Sequence, residues 1–262
     1  MKRIAWLFIL ALLPLSPLSA EAQTPEEKGL AIAREADLRD TGFADQSNQM
    51  VMTLKNRHGE SSVRHMRLKV LEVEGDGDKS LSIFNRPRDI KGTAMLTFSH
   101  ATEPDDQWMY LPALKRVKRI SSRNKSGPFM GSEFAFEDLG SQEVEKYTYR
   151  WLRDEPLDGR DCFVIERIPA YKHSGYTSQT VWLDKQMYQP LKVDYFDRKK
   201  ALLKTQTFGE YRQYLDQFWR AHDIHMVNHQ TGKSTHLEWS DVQFKTGLSE
   251  RDFNRNSLKR AK

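Results

Sequence analysis

The sequence is poor in cysteine, glycine and proline, and each shortage closes off a class of protein. Cys162 is the only cysteine in 262 residues, so no disulfide can form within the chain. Its setting, Arg160-Asp161-Cys162-Phe163-Val164-Ile165, reads as a strand in which the thiol is a small buried hydrophobe. No partner histidine or activating surroundings for a catalytic thiol are visible there. With 14 glycines and 10 prolines the chain is not collagen-like or low-complexity, and 38% hydrophobic and 11% aromatic residues exclude disorder. After residue 22 no run of about 20 apolar residues occurs, so no helix beyond that point could span a bilayer. Charge of one sign is scarcely in excess: 41 Lys and Arg face 36 Asp and Glu, a net +5, which is mild for a nucleic-acid binder.

Catalytic signatures are missing as well. There is no G-x-S-x-G, no phosphate loop, no dinucleotide fingerprint and no H-E-x-x-H. The richest metal candidate is His222-Asp223-Ile224-His225-Met226-Val227-Asn228-His229, whose spacings of three and four would gather three imidazoles on one helix face. Phe218 to Val227 reads more easily as a strand, however, and there His222 and His225 point to opposite faces. Asp105-Asp106, following Glu103-Pro104, reads as a turn. The expectation is therefore no enzyme activity, no cofactor and no metal.

What the chain does have begins with an address. Met1-Lys2-Arg3, the apolar run Ile4 to Leu13 and Ala20-Glu21-Ala22 form a secretory signal with an A-x-A site, which predicts residues 1–22 as a signal peptide cleaved near Ala22/Gln23. The apolar run is about half of what a bilayer needs. No cysteine lies near the cleavage point, so no lipid-modified N-terminus is expected, and the predicted compartment is a Gram-negative periplasm. Loss of Lys2, Arg3 and Glu21 lowers the net charge from +5 to +4. Residues 23–262 are expected to form a single domain.

Residues 24–40 predict a helix, with Thr24 as cap, Pro25 in the first turn and Glu26-Glu27 complementing the helix dipole. Leu30, Ala33 and Asp37 share one face, with Ala31 and Leu38 beside it. From about residue 47 the period becomes two: Met66, Leu68 and Val70, then Leu191, Val193 and Tyr195, then Thr235, Leu237 and Trp239 alternate with polar residues. Such alternation gives one buried and one wet face, hence an antiparallel sheet. Turns fall at Asn56–Gly59, Glu74–Asp78, Leu157–Gly159 and Gln230–Lys233, which predicts about ten strands at hairpin spacing without β-α-β alternation. Ser249-Glu250-Arg251-Asp252 carries capping chemistry for a helical turn near the end. A mean hydropathy of −0.72 agrees with a wide wet sheet face or a long loop.

Trp108 to Leu139 departs from the pattern. Residues 115–125 hold six basic side chains and no acid, and Ser126-Gly127-Pro128-Phe129-Met130-Gly131-Ser132 then sets an apolar tip between glycines. One reading is a solvated basic strand with a flexible connection. The other is a flap that meets anionic headgroups or a protein partner while Phe129 and Met130 bury against lipid or a cavity wall. Eight of the nine methionines lie after residue 22, and methionine suits surfaces that accept varied apolar shapes, although ordinary core explains most of them.

The run Trp108-Met109-Tyr110-Leu111-Pro112-Ala113-Leu114-Lys115-Arg116-Val117-Lys118-Arg119-Ile120, with Phe129-Met130-Gly131-Ser132, Glu137-Asp138-Leu139, Val181-Trp182-Leu183-Asp184 and Asn228 to Thr235, resembles the periplasmic outer membrane lipoprotein-sorting protein family. The resemblance implies a LolA/LolB-like fold of α+β class, mostly β. A large curved antiparallel sheet, an incomplete β-barrel, is covered on its concave side by an N-terminal helix and a loop or short helix. It implies a carrier or chaperone that shields a lipid or lipoprotein acyl chains and moves them toward the outer membrane, beside an RND/MMPL-type exporter in the larger members. Cargo contact is expected at Met95, Phe98, Trp108, Tyr110, Phe129, Met130, Phe134 and Trp239, with Phe129 and Met130 as gate. Headgroup or partner contact is expected at Lys115, Arg116, Lys118, Arg119, Arg123 and Lys125, with transient membrane-surface contact, a monomeric state and no nucleic acid. The rival is a ligand-free adaptor that docks a transporter and has a filled interior.

Overall fold

The computed structural model describes residues 23–260, so the expected signal peptide lies outside the described residues. Helix α1 (Pro25–Asp40) opens as its sequence demands. The Thr24 hydroxyl accepts from the Glu27 N–H at 3.2 Å, and Glu27 returns the bond by accepting from the Thr24 N–H at 2.9 Å. The inward face is not the expected Leu30–Ala33–Asp37 stripe. Gly29, Ile32 and Ala33 are buried, while Leu38 is 67% exposed. The reason is a backbone approach: a Cβ on Gly29 would stand 2.7 Å from the Trp151 nitrogen, so the helix lies down on the sheet through its glycine.

The chain then forms two antiparallel meanders. The first runs through β1 (Asp45–Lys55), β2 (Ser61–Leu71), β3 (Lys79–Arg86), β4 (Ala94–Phe98), β5 (Asp106–Leu111) and β6 (Arg116–Ile120). Residues 121–146 cross over to the second: β7 (Tyr147–Leu157), β8 (Arg160–Pro169), β9 (Ser178–Asp184), β10 (Pro190–Phe196) and β11 (Leu202–Gly209), then, after a separate hairpin of β12 (Arg212–Tyr214) and β13 (Phe218–Arg220), β14 (Asp223–Asn228) and β15 (Ser234–Phe244). Strand β15 pairs with β1 and joins the meanders into one sheet of 13 strands whose edges are β6 and β7. The sheet is curved and not closed.

Short strands account for the difference from about ten: β12 and β13 have three residues each and β6 has five. The expected continuous strand from Phe218 to Val227 is also broken at His222, whose N–H leaves the ladder for the carbonyls of Gly209 and Glu210 at 3.2 and 3.3 Å. Turn chemistry holds where it is local. Asp158 and Gly159 have φ of 50° and 78° between β7 and β8, the pair of positive values that a tight hairpin needs. Ser249 caps a short turn through Asp252, and α2 (Arg255–Arg260) follows.

Strand parity sorts the core. Met50, Met52, Met66, Phe84, Met95, Met109, Val193, Met226 and Leu237 face the concave side and form one cluster with Ile32 of α1 and with Phe129 and Phe134 of the crossover. On the opposite face of β3–β5, Leu81, Ile83, Leu96 and Trp108 are covered by Phe253 and by Leu258 of α2. Cys162 is fully buried beside Val164 and Trp182, where burial pushes its thiol pKa up, as an inert structural cysteine requires. Among the described residues no helix is long and apolar enough to cross a membrane.

Candidate functional site

The concave face of the half-barrel is occupied by the crossover. Residues 121–146 leave the edge strand β6, run across the face in short 3-10 turns, and reach the other edge at β7. The tip does not stand out into solvent. Phe129 is 1% exposed, with its ring centroid 5.8 Å from those of both Phe84 and Phe136. The turn that drives it inward uses the left-handed region at Met130 (φ 51°) and Gly131 (φ 78°), closed by the Phe129 N–H donating to the Phe134 carbonyl at 2.7 Å.

Polar bonds pin this apolar plug around its rim. Lys204, whose side chain is 4% exposed, donates to the Glu133 carbonyl at 2.9 Å and to Asp138 Oδ2 at 2.8 Å. The Glu133 N–H donates to Thr235 Oγ1 at 2.9 Å, and Arg64 Nη1 donates to the Met130 carbonyl at 2.5 Å. Glu137 accepts from Tyr171, Ser174 and the Gly175 N–H at 3.0, 2.8 and 2.8 Å. Burial raises its carboxyl above the usual range, opposed by those three donors. Gly175 is obligatory there, because a Cβ would stand 2.9 Å from Ser126 Cβ and 3.0 Å from Glu137 Oε1. At the plug's two ends, Lys125 and Lys146 converge on Asp105, the former at 3.4 Å, in a triad whose side chains are 8–9% exposed.

The residues expected at the site divide. Met95, Phe129, Met130, Phe134 and Trp239 belong to the concave cluster. Phe98, Trp108 and Tyr110 belong to the cluster on the other face, because β4 and β5 are apolar on both sides and the sequence does not say which side is inward. Trp108 and Arg119 instead line a groove of about 520 Å³ with Asp106, Val117, Arg255 and Lys259. Of the basic set, Lys115, Arg116, Lys118 and Arg123 are exposed and Arg119 pairs with Asp106. Lys125 is no headgroup contact: it is 7% exposed and burial depresses its pKa. Asp105, read as a turn residue, is the hub of the buried triad. Its partners lie 20 and 41 residues away, and no local pattern reports them.

The histidine run gathers no common ligand. His222 is buried between the Tyr214 hydroxyl and the Trp239 carbonyl, each at 2.8 Å, while His229 meets Thr205 Oγ1 at 2.8 Å. What sequence reasoning missed entirely is a set of buried polar atoms on or beside the concave face without partners among the described residues: Nδ2 and Oδ1 of Asn48 on β1 and the indole Nε1 of Trp239 on β15. Trp239 stands opposite Met50, two residues from Asn48 on the same strand face.

A half-barrel filled by its own crossover finds a counterpart among solved structures. An outer membrane lipoprotein-sorting protein domain from Vibrio parahaemolyticus is 64% identical, with a TM-score of 0.88 and coverage of 89% of this chain and 99% of that one. The chain belongs to the outer membrane lipoprotein-sorting protein family. A DUF1329 family protein from Desulfovibrio piger is 30% identical over 90% of this chain and all of that one, with a TM-score of 0.86. A LolA superfamily protein from Nitrosomonas europaea shares the fold at 19% identity and a TM-score of 0.70, covering 90% of this chain and 100% of that one. A family model described as "Uncharacterized protein" matches residues 76–260. No curated protein matches the chain. Within this lipoprotein-sorting fold, the concave face is the surface both covering elements share, which makes the crossover and the strands beneath it the candidate site.

Proposed function

We propose that this protein is a periplasmic carrier in which the crossover plug and an acyl chain compete for the same concave apolar face. The observation that carries the reading is the plug itself. Phe129 and Phe134 fill the half-barrel from a segment that is not a strand of it and that polar bonds hold at the rim. Burying two phenylalanines contributes about 3–6 kcal/mol, which about four to eight methylenes of an entering chain would offset at about 0.8 kcal/mol each. Phe129 is then the displaceable occupant of the cavity and not a gate at its mouth. The orphan atoms of Asn48 and Trp239 suit an ester or amide group carried by the cargo, since buried polar atoms without partners are otherwise costly. The exposed Lys115, Arg116, Lys118 and Arg123 on and flanking edge strand β6 suit transient contact with anionic headgroups or an acidic face of an RND/MMPL-type exporter.

A clamp tests the reading. The Glu133 N–H···Oγ1 Thr235 bond of 2.9 Å keeps the two Cα atoms within about 6.8 Å, inside disulfide range. A Glu133→Cys/Thr235→Cys variant has only the fully buried Cys162 as background. Oxidised, it should take up no fluorescent fatty-acid or phospholipid probe, and reduction should restore uptake. Equal uptake in both states would sink the plug model. The filled interior also favours the adaptor reading. Native mass spectrometry of gently purified protein separates the two, because a bound lipid or acylated peptide supports the carrier, whereas a clean apo mass with no probe uptake supports the adaptor.

A further inference from the structure

Strands β14 and β15 pair with Asp223 opposite Glu238, Ile224 opposite Leu237 and His225 opposite His236. Ile224 and Leu237 pack into the concave cluster, so parity puts Asp223, His225, His236 and Glu238 together on the outer face of the sheet. Cross-strand neighbours there stand close enough to interact, and these do. The two imidazoles stack at 3.8 Å with planes 10° apart. Both point Nε2 at one carboxylate: His225 Nε2 lies 3.0 Å from Asp223 Oδ1 and His236 Nε2 lies 2.7 Å from Oδ2. Glu238 Oε2 lies 3.9 Å from the other nitrogen of His236.

We propose that Asp223, His225 and His236 form a binding site for an imidazole-preferring divalent transition-metal ion, with zinc as the reference ion. The three ligand atoms already lie within 4.8 Å of one another. Tetrahedral zinc bonds of about 2.0–2.2 Å put donor atoms about 3.3 Å apart. The present contacts of 2.7 and 3.0 Å need open by only a few tenths of an ångström. The side chains sit on paired strands of the sheet, not on a loop, and the two imidazoles turn out of their stack so that both in-plane Nε2 lone pairs meet the ion. A metal ion takes each Nε2 as a lone-pair donor, so its entry competes with protons for those two nitrogens. The fourth position faces solvent, because the three side chains are 33%, 48% and 27% exposed, and a water or an external ligand completes the shell there. Glu238 adds negative charge beside the site, 3.9 Å from His236 Nδ1. Two nitrogen donors select against magnesium and calcium, which take oxygen shells. The histidine spacing in the sequence pointed elsewhere because the second imidazole comes from the neighbouring strand.

Calorimetric titration of tag-free, chelator-treated protein with zinc chloride tests this. One ion per chain with micromolar affinity is expected, with no heat from magnesium or calcium, and His225→Ala or His236→Ala should weaken binding at least tenfold. Zinc at a hundredfold excess over the wild-type Kd should raise Tm by about 5 °C in the wild type and by about half of that or less in the variants. His225→Gln and His236→Gln provide variants that keep an amide at each position, and equal melting in EDTA shows that the fold is intact. Anomalous scattering at the zinc edge from a soaked crystal should place the ion beside Asp223, within bonding distance of both Nε2 atoms. Absence of stoichiometric uptake by the wild type, or unchanged uptake after both histidines are replaced, would overturn the site.

Discussion

Helix α1 and the crossover cover the same concave face in physically different ways. The helix is held by shape: Gly29 lets it touch the backbone of β7, Ile32 and Ala33 are buried, and Lys28 lies 3.5 Å over the Trp151 ring. The crossover adds charge to its packed Phe129 and Phe134: the Asp105 triad at its ends and Lys204 against Asp138 in its middle are all nearly buried. A close-packed contact loses everything when it opens. A buried ion pair does not, because each partner recovers its hydration and the net contribution of the intact pair is small. Removing only one partner is a different matter, since a charge is then stranded. On the proposed reading, α1 is permanent cover and the crossover is cover that leaves as a unit.

The comparison breaks hardest at Asp105. Asp105→Asn strands Lys125 and Lys146 and should cost about 3–5 kcal/mol in urea unfolding. Hydrogen exchange should rise across 121–146 while α1 stays protected. Adding Lys125→Met and Lys146→Met should return stability to within about 1 kcal/mol of wild type, as apolar replacement of whole buried ion networks does. If the triple variant stayed as weak as the single one, the triad would be supporting geometry and not merely charge.

Gly29→Ala sharpens the other side. Alanine is the better helix former by about 1 kcal/mol, yet its Cβ would sit 2.7 Å from the Trp151 nitrogen and 2.8 Å from the Arg150 carbonyl carbon. The overpacking should win, with a net loss of about 1–3 kcal/mol and faster exchange confined to α1 and β7. A rise in stability would show that the helix can shift outward freely and is no more permanent than the plug.

These contrasts explain what the sequence could and could not show. The capping box of α1, the Asp158-Gly159 hairpin and the alternation through Val193 and Tyr195 are local, and all three were legible. The inward face of β4 and β5 was not, because Ala94, Met95 and Leu96 are all buried and no wet side marks the direction. Lys125 looked like its five exposed basic neighbours, since its carboxylate comes from another hairpin. The crossover's length and apolar tip announced something unusual. Whether it stood out or folded in depended on Lys204 and Thr235, contributed by strands more than 65 residues further on.

A smaller, pH-dependent effect probes the plug's distal anchor. Asp78 donates its N–H to Ser141 Oγ at 3.2 Å, and Ser141 bonds in turn to Glu143. Burial pushes the Asp78 carboxyl up to about 7, and the nearby Glu143 and Glu72 charges push the same way. The folded state therefore holds a proton that an unfolded carboxyl releases near pH 4, so stability is favoured below that and declines as pH rises toward about 7. Asp78→Asn should flatten the decline, measured as Tm against pH. An unchanged slope would assign the titration to another buried acid, such as Glu137 or Asp40, both of which burial also raises.

The smallest expected effect separates packing from recognition. Asn48 is 4% exposed, and neither polar atom of its side chain has a partner among the described residues. If the residue only fills space, Asn48→Leu replaces a desolvated amide with an apolar side chain of similar size, and stability should rise by about 1 kcal/mol. If the amide also meets the cargo's ester or amide group, the same variant should bind acyl probes severalfold more weakly while melting higher. A simple alkane-chain probe lacking that polar group should bind both proteins equally. A variant that is more stable and undiminished toward ester-containing probes would leave Asn48 as unpaired polarity in the core, and recognition in the carrier would then rest on apolar burial alone.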